Sequence, residues 1–232
     1  MKSHMDHGKP PETLPAELPI FPLTGTLLLP EMVLPLHIFE PRYRSMVADA
    51  RDGVGMIGMV QPLVPQEDNR PPAGATPENP EVYPVGCAGY IWRMEEFPDG
   101  RFLVILMGLT RFRIREELPL HEGYRRVVPD YAPFAGDLHP EREGYDGGKL
   151  LETINGLKAA NALPMEYPDD LKMTPRRLLN GMCMALPLLP VEKQSLLESP
   201  SYEERETLLI KLLNMGVRKG GDDAPVAPPV LN

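Results

Sequence analysis

The chain has 232 residues, of which 42% are apolar, 24 are Lys or Arg and 33 are Asp or Glu, so its net charge is −9. This composition allows one large domain or two small ones with a real hydrophobic core, and it excludes a wholly disordered chain. The acidic balance disfavours a protein whose main task is to bind a phosphate backbone. The 29 prolines favour short strands and irregular loops over long helices.

The sequence has no run of about 18 apolar residues and no apolar stretch near its N-terminus of the kind that a secretory signal requires. We therefore expect neither a membrane span nor export. The two cysteines, Cys87 and Cys183, are far apart and form no Cys-x-x-Cys pair. This usage is typical of buried thiols in a reducing cytoplasm.

Residues 17–135 have the pattern of a small β domain that follows a flexible arm, residues 1–16. Pro41 opens a helix that is expected to end near Gly53. An Asp-Gly pair in residues 97–100 predicts a tight hairpin. The predicted strands are 18–23, 33–39, 55–60, 85–94, 101–107, 109–116 and 124–131. Six or seven short strands with one small helix predict a closed or partly closed barrel.

After Pro140 the apolar period changes to that of helices. The sequence predicts a helix along the stripe that begins at Leu150, and a second that starts with Thr174 as its cap. A third is expected over about 191–198, and a fourth opens with a capping box of Ser201 and Glu204. We expect a helical bundle over 136–217 and a disordered tail over 218–232.

The motifs of common catalytic sites are missing from the sequence. It has no G-x-x-x-x-G-K-[ST] phosphate loop, and its five serines lie in the arm, in predicted helices or at caps. The histidines His37, His121 and His139 are isolated and form no set of metal ligands. The sequence therefore predicts no catalytic residue, no cofactor and no metal site.

Three arginines, Arg111, Arg113 and Arg115, alternate along a predicted strand. Alternation places them on one face, where they would suit a phosphate backbone or an acidic peptide. A solvated face that protects the strand from edge pairing is the favoured interpretation, because Glu116 and Glu117 dilute the positive field.

Apolar residues that could accept many partners are the other candidates for a binding surface. Met184 lies off the apolar stripe of its predicted helix, and flexible thioethers are typical of adaptable contact surfaces. We therefore take Met173 and Met184, together with Pro35, His37 and Phe39 of the second predicted strand, as candidate polypeptide-binding residues.

The segment that joins this strand to the first helix is predicted to be an architectural joint. Pro41 starts the helix, Tyr43 packs inward, and Arg42 or Arg44 reaches an acceptor on a neighbouring loop. Glu40 precedes them and completes the motif.

Three segments of the sequence resemble one known family, the N-terminal substrate-binding domain of Lon, the ATP-dependent protease La. They are LPIFPLTGTLLLPEMVLPLHIFEPRYR at 18–44, VGCAGYIWRMEEFPDGRFLVILMGLTRFRI at 85–114 and PRRLLNGMCMALPLLPVEKQSLLESPSYEERETLLIKLL at 175–213. The sequence departs from the family at Leu189, where a serine cap is common, so we expect a frayed helix start there.

The resemblance implies an α+β fold, in which a PUA-like, mostly antiparallel β-barrel with one short helix is followed by a C-terminal helical bundle. It implies a non-catalytic, cytoplasmic module that binds unfolded or degron-bearing polypeptides, as an adaptor or regulator in protein quality control that works with a protease. The ATPase and Ser-Lys protease modules of the family need several hundred further residues, so we expect no peptide hydrolysis.

Two alternatives to polypeptide binding stay open. PUA-like barrels bind RNA elsewhere, and the three alternating arginines would supply the charge. A small-molecule sensor with a pocket in the barrel is the other, since no sequence pattern specifies such a pocket.

Overall fold

The computed structural model describes residues 8–64, 80–139, 144–160, 162–163 and 173–219. Within these residues the chain forms six β-strands, five α-helices and one 3-10 helix. The chain divides into two compact units, Met1–Glu143 and Gly144–Asn232.

The first unit is built on one sheet. Its strands are β1 (Leu18–Pro22), β2 (Val33–Ile38), β3 (Met56–Val60), β4 (Val85–Glu96), β5 (Phe102–His121) and β6 (Tyr124–Asp130). Their order is β2-β5-β4-β3-β1-β6, and β5 pairs with β6 as well. The pair of β1 and β3 is parallel and the other pairs are antiparallel. The sheet is therefore mixed and, as predicted, mostly antiparallel.

Side chains from β1, β3, β4, β5 and β6 form the hydrophobic core of the first unit. Its centre is a cluster of fully or almost fully buried apolar side chains, Leu18, Ile20, Met56, Val60, Ala88, Phe112 and Val127. Gly58 and Gly86 both lie against the Phe112 ring, so close that a Cβ at either position would collide with it. The large ring thus fills space that the two small residues leave open.

Helix α1 (Pro41–Asp52) begins and ends where the sequence predicts. Proline is favoured at the first helical position because its missing N–H would have no partner there. The helix ends at Gly53, whose N–H donates to the carbonyls of Asp49 and Ala50. Its buried face consists of Tyr43, Met46, Val47 and Ala50.

The joint before α1 is mainly a packing feature, as predicted. The Tyr43 side chain is buried and its ring centroid lies 4.3 Å from that of Phe21. The Arg42 guanidinium lies 4.5 Å from the centroid of the Tyr43 ring, and Arg42 Nε donates to Glu40 at 3.1 Å. This acceptor belongs to the joint itself, and the Arg44 guanidinium lies against Gly100 in the neighbouring loop between β4 and β5. Burial raises the pKa of Tyr43 to about 12.

Strand β5 differs from the prediction, because the two strands expected at 101–107 and 109–116 are one strand of 20 residues. Gly108 does not end the strand. The Leu29 carbonyl passes so close to Gly108 that a Cβ there would collide with it. Gly108 also accepts the Glu31 N–H at 3.0 Å and donates to the Met32 carbonyl at 2.8 Å. The glycine marks a close approach of two backbone segments.

The 3-10 helix, Ala132–Leu138, packs on β5 and sets the extent of the first unit. Arg111 Nε and Nη2 each donate to a different carboxylate oxygen of Asp137 at 2.8 Å, and the Arg111 backbone N–H donates to the same carboxylate at 2.9 Å. Both side chains are buried. This pair holds the 3-10 helix on β5, and the division between the two units falls after Glu143.

The described part of the N-terminal arm lies against the sheet. Gly8 donates its backbone N–H to the Trp92 carbonyl at 2.8 Å, and the Tyr131 hydroxyl donates to the Pro15 carbonyl at 3.4 Å. Leu14 packs on the core cluster. Residues 1–7 of the predicted flexible arm lie outside the described residues.

The second unit contains α2 (Gly148–Ala159), α3 (Pro175–Ala185), α4 (Pro190–Glu198) and α5 (Tyr202–Lys219). The Thr174 hydroxyl accepts the Arg177 N–H at 3.4 Å and the Ser201 hydroxyl accepts the Glu204 N–H at 3.2 Å, as the predicted caps require. Helix α5 includes residues 218 and 219, and the rest of the predicted tail, residues 220–232, lies outside the described residues.

The predicted fraying at Leu189 is wrong. The Leu189 backbone N–H donates to the Glu192 carboxylate at 2.8 Å, and the Leu189 carbonyl accepts the Lys193 N–H at 3.0 Å. The Glu192 carboxylate thus makes one of the two bonds of a capping box, and the helix begins at Pro190 although Leu189 offers no side-chain acceptor.

Buried polar groups connect the four helices. Arg205 of α5 has 1% of its surface exposed, and its guanidinium donates to the Leu196 carbonyl at 2.9 Å and to Asn180 Oδ1 at 2.8 Å. The neighbouring Glu206 accepts the Tyr145 hydroxyl at 3.1 Å and the Leu150 N–H at 2.9 Å. These bonds fix α3, α4 and α2 on α5.

Both cysteines are buried, as predicted. Cys87 lies in β4 and Cys183 in α3, and neither has an exposed surface. Burial raises the pKa of the Cys183 thiol to about 12. A thiol of this kind reacts slowly with alkylating reagents at neutral pH.

We expect Tyr43→Ala to lower the free energy of unfolding by about 3 kcal/mol or more, because it removes a buried ring. Tyr43→Phe keeps the ring and is expected to cost much less. In the folded protein the pKa of Tyr43 lies above the ordinary 10.0. The neutral hydroxyl therefore adds to the free energy of unfolding of the wild type below about pH 10, and this contribution is lost as pH rises through about 12. Urea titrations of the three proteins at pH 7.5 and pH 11 measure both effects. Equal midpoints for Tyr43→Ala and wild type would contradict the architectural role.

We expect Asp137→Asn to destabilise the protein by about 3 kcal/mol or more, because it removes the buried negative charge that pairs with the buried Arg111 guanidinium. The matched control is Asp99→Asn, which breaks the exposed pair of Asp99 and Arg101 and is expected to leave the urea midpoint unchanged. Equal midpoints for the two variants would show that the Arg111 pair does not hold the 3-10 helix.

Candidate functional site

Strand β2 alternates between a buried and an exposed face. Leu36 and Ile38 are buried, whereas Val33, Pro35 and His37 are exposed. Phe39, the next residue in this alternation, follows the strand with 65% of its surface exposed. Large apolar side chains are normally buried, so an exposed series of them is informative.

Strand β5 extends this exposed series. Val33 lies opposite Met107, Pro35 opposite Ile105, and His37 opposite Leu103. Residues directly opposite each other in an antiparallel pair project to the same side of the sheet. Leu103, Ile105 and Met107 are half-buried. We call this surface the outer face, and its members are Val33, Pro35, His37, Phe39, Leu103, Ile105 and Met107.

Strand β4 borders the outer face with charge. Arg93 lies opposite Ile105 and Glu95 opposite Leu103, and both charged side chains are exposed. The outer face itself carries His37 as its one titratable side chain. It can therefore contact apolar groups of a partner, with one cation and one anion at its margin.

The candidate residues from the sequence fall into two sets. Pro35, His37 and Phe39 come together on the outer face. Met173 and Met184 belong to the second unit, where each is half-buried. The Met184 carbonyl accepts the Lys193 ammonium group at 3.3 Å.

The three arginines do not share one environment. Arg111 is buried in its ion pair, because the 3-10 helix covers β5 at this point and Phe134 stacks 4.7 Å from the guanidinium. Arg113 and Arg115 are exposed, and Asp130 lies opposite Arg113 in the register. The nucleic-acid patch is thus reduced to two arginines beside acidic residues.

Sequence reasoning did not identify Val33, Leu103, Ile105 and Met107 as part of the candidate surface. Alternation along 33–39 was the signal that could have found Val33. The three β5 residues required the register with β2, which an isolated sequence pattern does not give.

No group of three or more His, Cys, Asp or Glu side chains in the described ranges is arranged to hold a metal ion. Among the helices that the structure describes, none combines the length and apolar character needed to cross a bilayer.

Comparison with known proteins places this fold in a family. The family model of the ATP-dependent protease La (LON) substrate-binding domain matches residues 17–215. Lon protease from Dictyoglomus thermophilum is 28% identical over 200 residues, which are 84% of this chain and 24% of that protein. Lon protease from Parabacteroides distasonis is 30% identical over 209 residues, or 85% of this chain and 24% of that protein. The chain thus spans about a quarter of the length of these curated relatives.

Solved structures agree with this assignment. The crystal structure of a Lon N-terminal domain protein from Xanthomonas campestris has a TM-score of 0.56 at 19% identity, and the match covers 84% of this chain and 97% of that one. The N-terminal domain of the Mycobacterium avium complex Lon protease also has a TM-score of 0.56, at 18% identity over 85% of this chain and 98% of that one. From the family match over residues 17–215, the chain belongs to the ATP-dependent protease La (LON) substrate-binding domain family.

Proposed function

We propose that this chain is a non-catalytic module that binds unfolded or degron-bearing polypeptides through the outer face. The observation that carries the proposal is the row of exposed or half-buried apolar residues on one side of the sheet, Val33, Pro35, Ile105 and Met107, with the exposed Phe39 directly after β2. The side chains of the outer face favour apolar groups in a ligand. They offer few polar groups that would restrict binding to one sequence. Family membership supports the same class of ligand, because the family is described by substrate binding.

The binding is expected to be weak. A short peptide loses backbone and side-chain freedom when it docks, and this offsets much of the gain from burying a few hundred Å² at about 25 cal/mol per Å². Dissociation constants near about 1 μM or above follow. Weak binding suits a module that must release its polypeptide.

We place this activity in the cytoplasm, as an adaptor or regulator in protein quality control that delivers polypeptides to a protease or withholds them from it. The relatives with the printed name Lon protease support a link to proteolysis. In this proposal the first unit acts as a PUA-like barrel and the second as a helical bundle, with Met173 and Met184 as further contacts for the polypeptide.

RNA binding, the alternative from the sequence, has less support. It needs the guanidinium groups of Arg111, Arg113 and Arg115 on one accessible surface, and the first of them is engaged by Asp137. The remaining two lie near Asp130 and Glu116 along the sheet.

We expect Val33→Ser with Phe39→Ser to weaken the binding of fluorescent casein by about tenfold, because exposed apolar contacts are lost. The matched control is Leu120→Ser, since Leu120 is an exposed apolar residue at the far end of β5. Fluorescence anisotropy measures Kd, and thermal melting checks that each variant is folded. Equal affinity of the double variant and wild type would contradict the assignment to the outer face.

Salt dependence distinguishes the two classes of ligand. Casein binding is expected to change little between about 50 mM and 200 mM salt, whereas RNA binding would fall steeply through counterion release. Titration of a fluorescent single-stranded RNA beside casein makes the comparison. Tight, salt-sensitive RNA binding that Arg113→Ala with Arg115→Ala removes, without casein binding, would reverse the ranking.

We expect the purified protein neither to hydrolyse ATP nor to cleave casein, because the sequence has no phosphate loop and no nucleophile with an adjacent base. Release of phosphate and of acid-soluble peptides measures the two activities. Activity that stays with the pure protein after Ser45→Ala and Ser195→Ala would require a site that this proposal lacks.

A further inference from the structure

We propose that the open edge of β2 binds an extended polypeptide by strand addition, so that the backbone of the polypeptide continues the sheet. This inference rests on the proposed function, because it states how the outer face holds its polypeptide and which segments it selects. The evidence lies in the hydrogen-bond pattern of β2.

Strand β2 ends the sheet, and in the part of the chain that the structure describes it pairs with β5 alone. Gly108 donates its N–H to the Met32 carbonyl, which makes these two residues a hydrogen-bonded pair one step before Val33 and Met107. In an antiparallel ladder such pairs alternate with pairs that exchange no bonds. The even-numbered residues of β2 therefore bond to β5, and the odd-numbered ones direct their backbone groups to the open edge.

The position of Pro35 agrees with this alternation of hydrogen-bonded and open residues. A proline has no N–H to donate, so a strand accepts it where that N–H would point away from the neighbouring strand. The open edge therefore offers the N–H groups of Val33 and His37 and the carbonyls of Val33, Pro35 and His37. An extended backbone provides matching acceptors and donors at every second residue.

The same odd-numbered residues carry their side chains on the outer face. In a strand added antiparallel to β2, the residues that bond to the edge also place their side chains beside Val33, Pro35 and His37. The edge therefore selects extended segments with apolar residues at every second position. Protein edges are often protected by charged side chains, especially lysine, and by proline. Strand β2 has the sequence VLPLHI, which contains no lysine, and its one proline removes a single donor from the edge.

The backbone of the sheet also forms a hydrogen bond to one segment from outside the ladder. Strand β3 pairs with residues 87–90 of β4, and β4 continues beyond them to Glu96. At this continuation Gly8 donates its N–H to the Trp92 carbonyl at 2.8 Å. A single bond of this kind shows only that a main-chain carbonyl of β4 can accept an N–H from outside the ladder.

The test uses the fluorescein-labelled peptide KTVTVTVTK and two N-methylated twins. Strand addition with the valines on the outer face directs the valine N–H groups to β2 and the threonine N–H groups away from it. We expect N-methylation of the valines to weaken binding to the full chain by about tenfold or more, because several hydrogen bonds are lost. N-methylation of the threonines is expected to change Kd by less than about threefold.

The outcomes separate this inference from the proposed function. Equal weakening by the two N-methylated twins, with casein still bound, would reject strand addition and leave polypeptide binding by the outer face. Failure of the wild type to bind both the peptide and casein would overturn the proposed function and, with it, the inference.

A pair of variants tests the same bonds from the side of the protein. His37→Pro removes the N–H that faces the open edge and leaves the bonds between β2 and β5 in place, whereas His37→Ala removes the imidazole and keeps the N–H. We expect His37→Pro to weaken peptide binding at least about threefold more than His37→Ala, with both proteins folded by thermal melting. Equal losses in the two variants would show that the imidazole, and not the edge, contacts the peptide.

Discussion

Strand β5 is the constraint on which the rest of the first unit depends. Its first part pairs with β2, its last part pairs with β6, and β4 pairs with residues 102–113. This continuity requires Gly108, because the Leu29 carbonyl occupies the space that a side chain would need. A larger residue at this position would push β2 away from β5, and the outer face would separate into two unconnected strands.

The two ends of β5 have different surroundings, and this difference separates scaffold from surface. Around Arg111 and Phe112 the strand is covered on both sides, by the 3-10 helix and by the core cluster. Around Ile105 the side away from the core lies open to solvent together with β2. One strand therefore contributes a buried ion pair to the packing of the 3-10 helix and half-buried apolar side chains to the outer face.

The sequence predicts best those features that neighbouring residues determine. The starts of α1, α3 and α5 follow from Pro41, Thr174 and Ser201, because a cap acts within one turn of the helix. Even locally one hydrogen bond was missed, since the Glu192 carboxylate accepts the Leu189 N–H at the start of α4.

Features that depend on distant segments could not be predicted in this way. The burial of Arg111 depends on Asp137, which is 26 residues further along the chain. The continuity of β5 through Gly108 depends on Leu29, and the composition of the outer face depends on the register between β2 and β5. Pro35, His37 and Phe39 could be proposed from the sequence, because the alternation of a single strand is a local pattern.

Pro35 has a consequence for the behaviour of the folded protein at high concentration. Two copies that met edge to edge at β2 would each bring a proline into the new ladder, and each proline would leave one bond unmade. Self-pairing of β2 is therefore weaker than pairing with a flexible segment whose own residues all carry an N–H. The proline thus makes another copy of the same strand a poor partner for this apolar sheet edge.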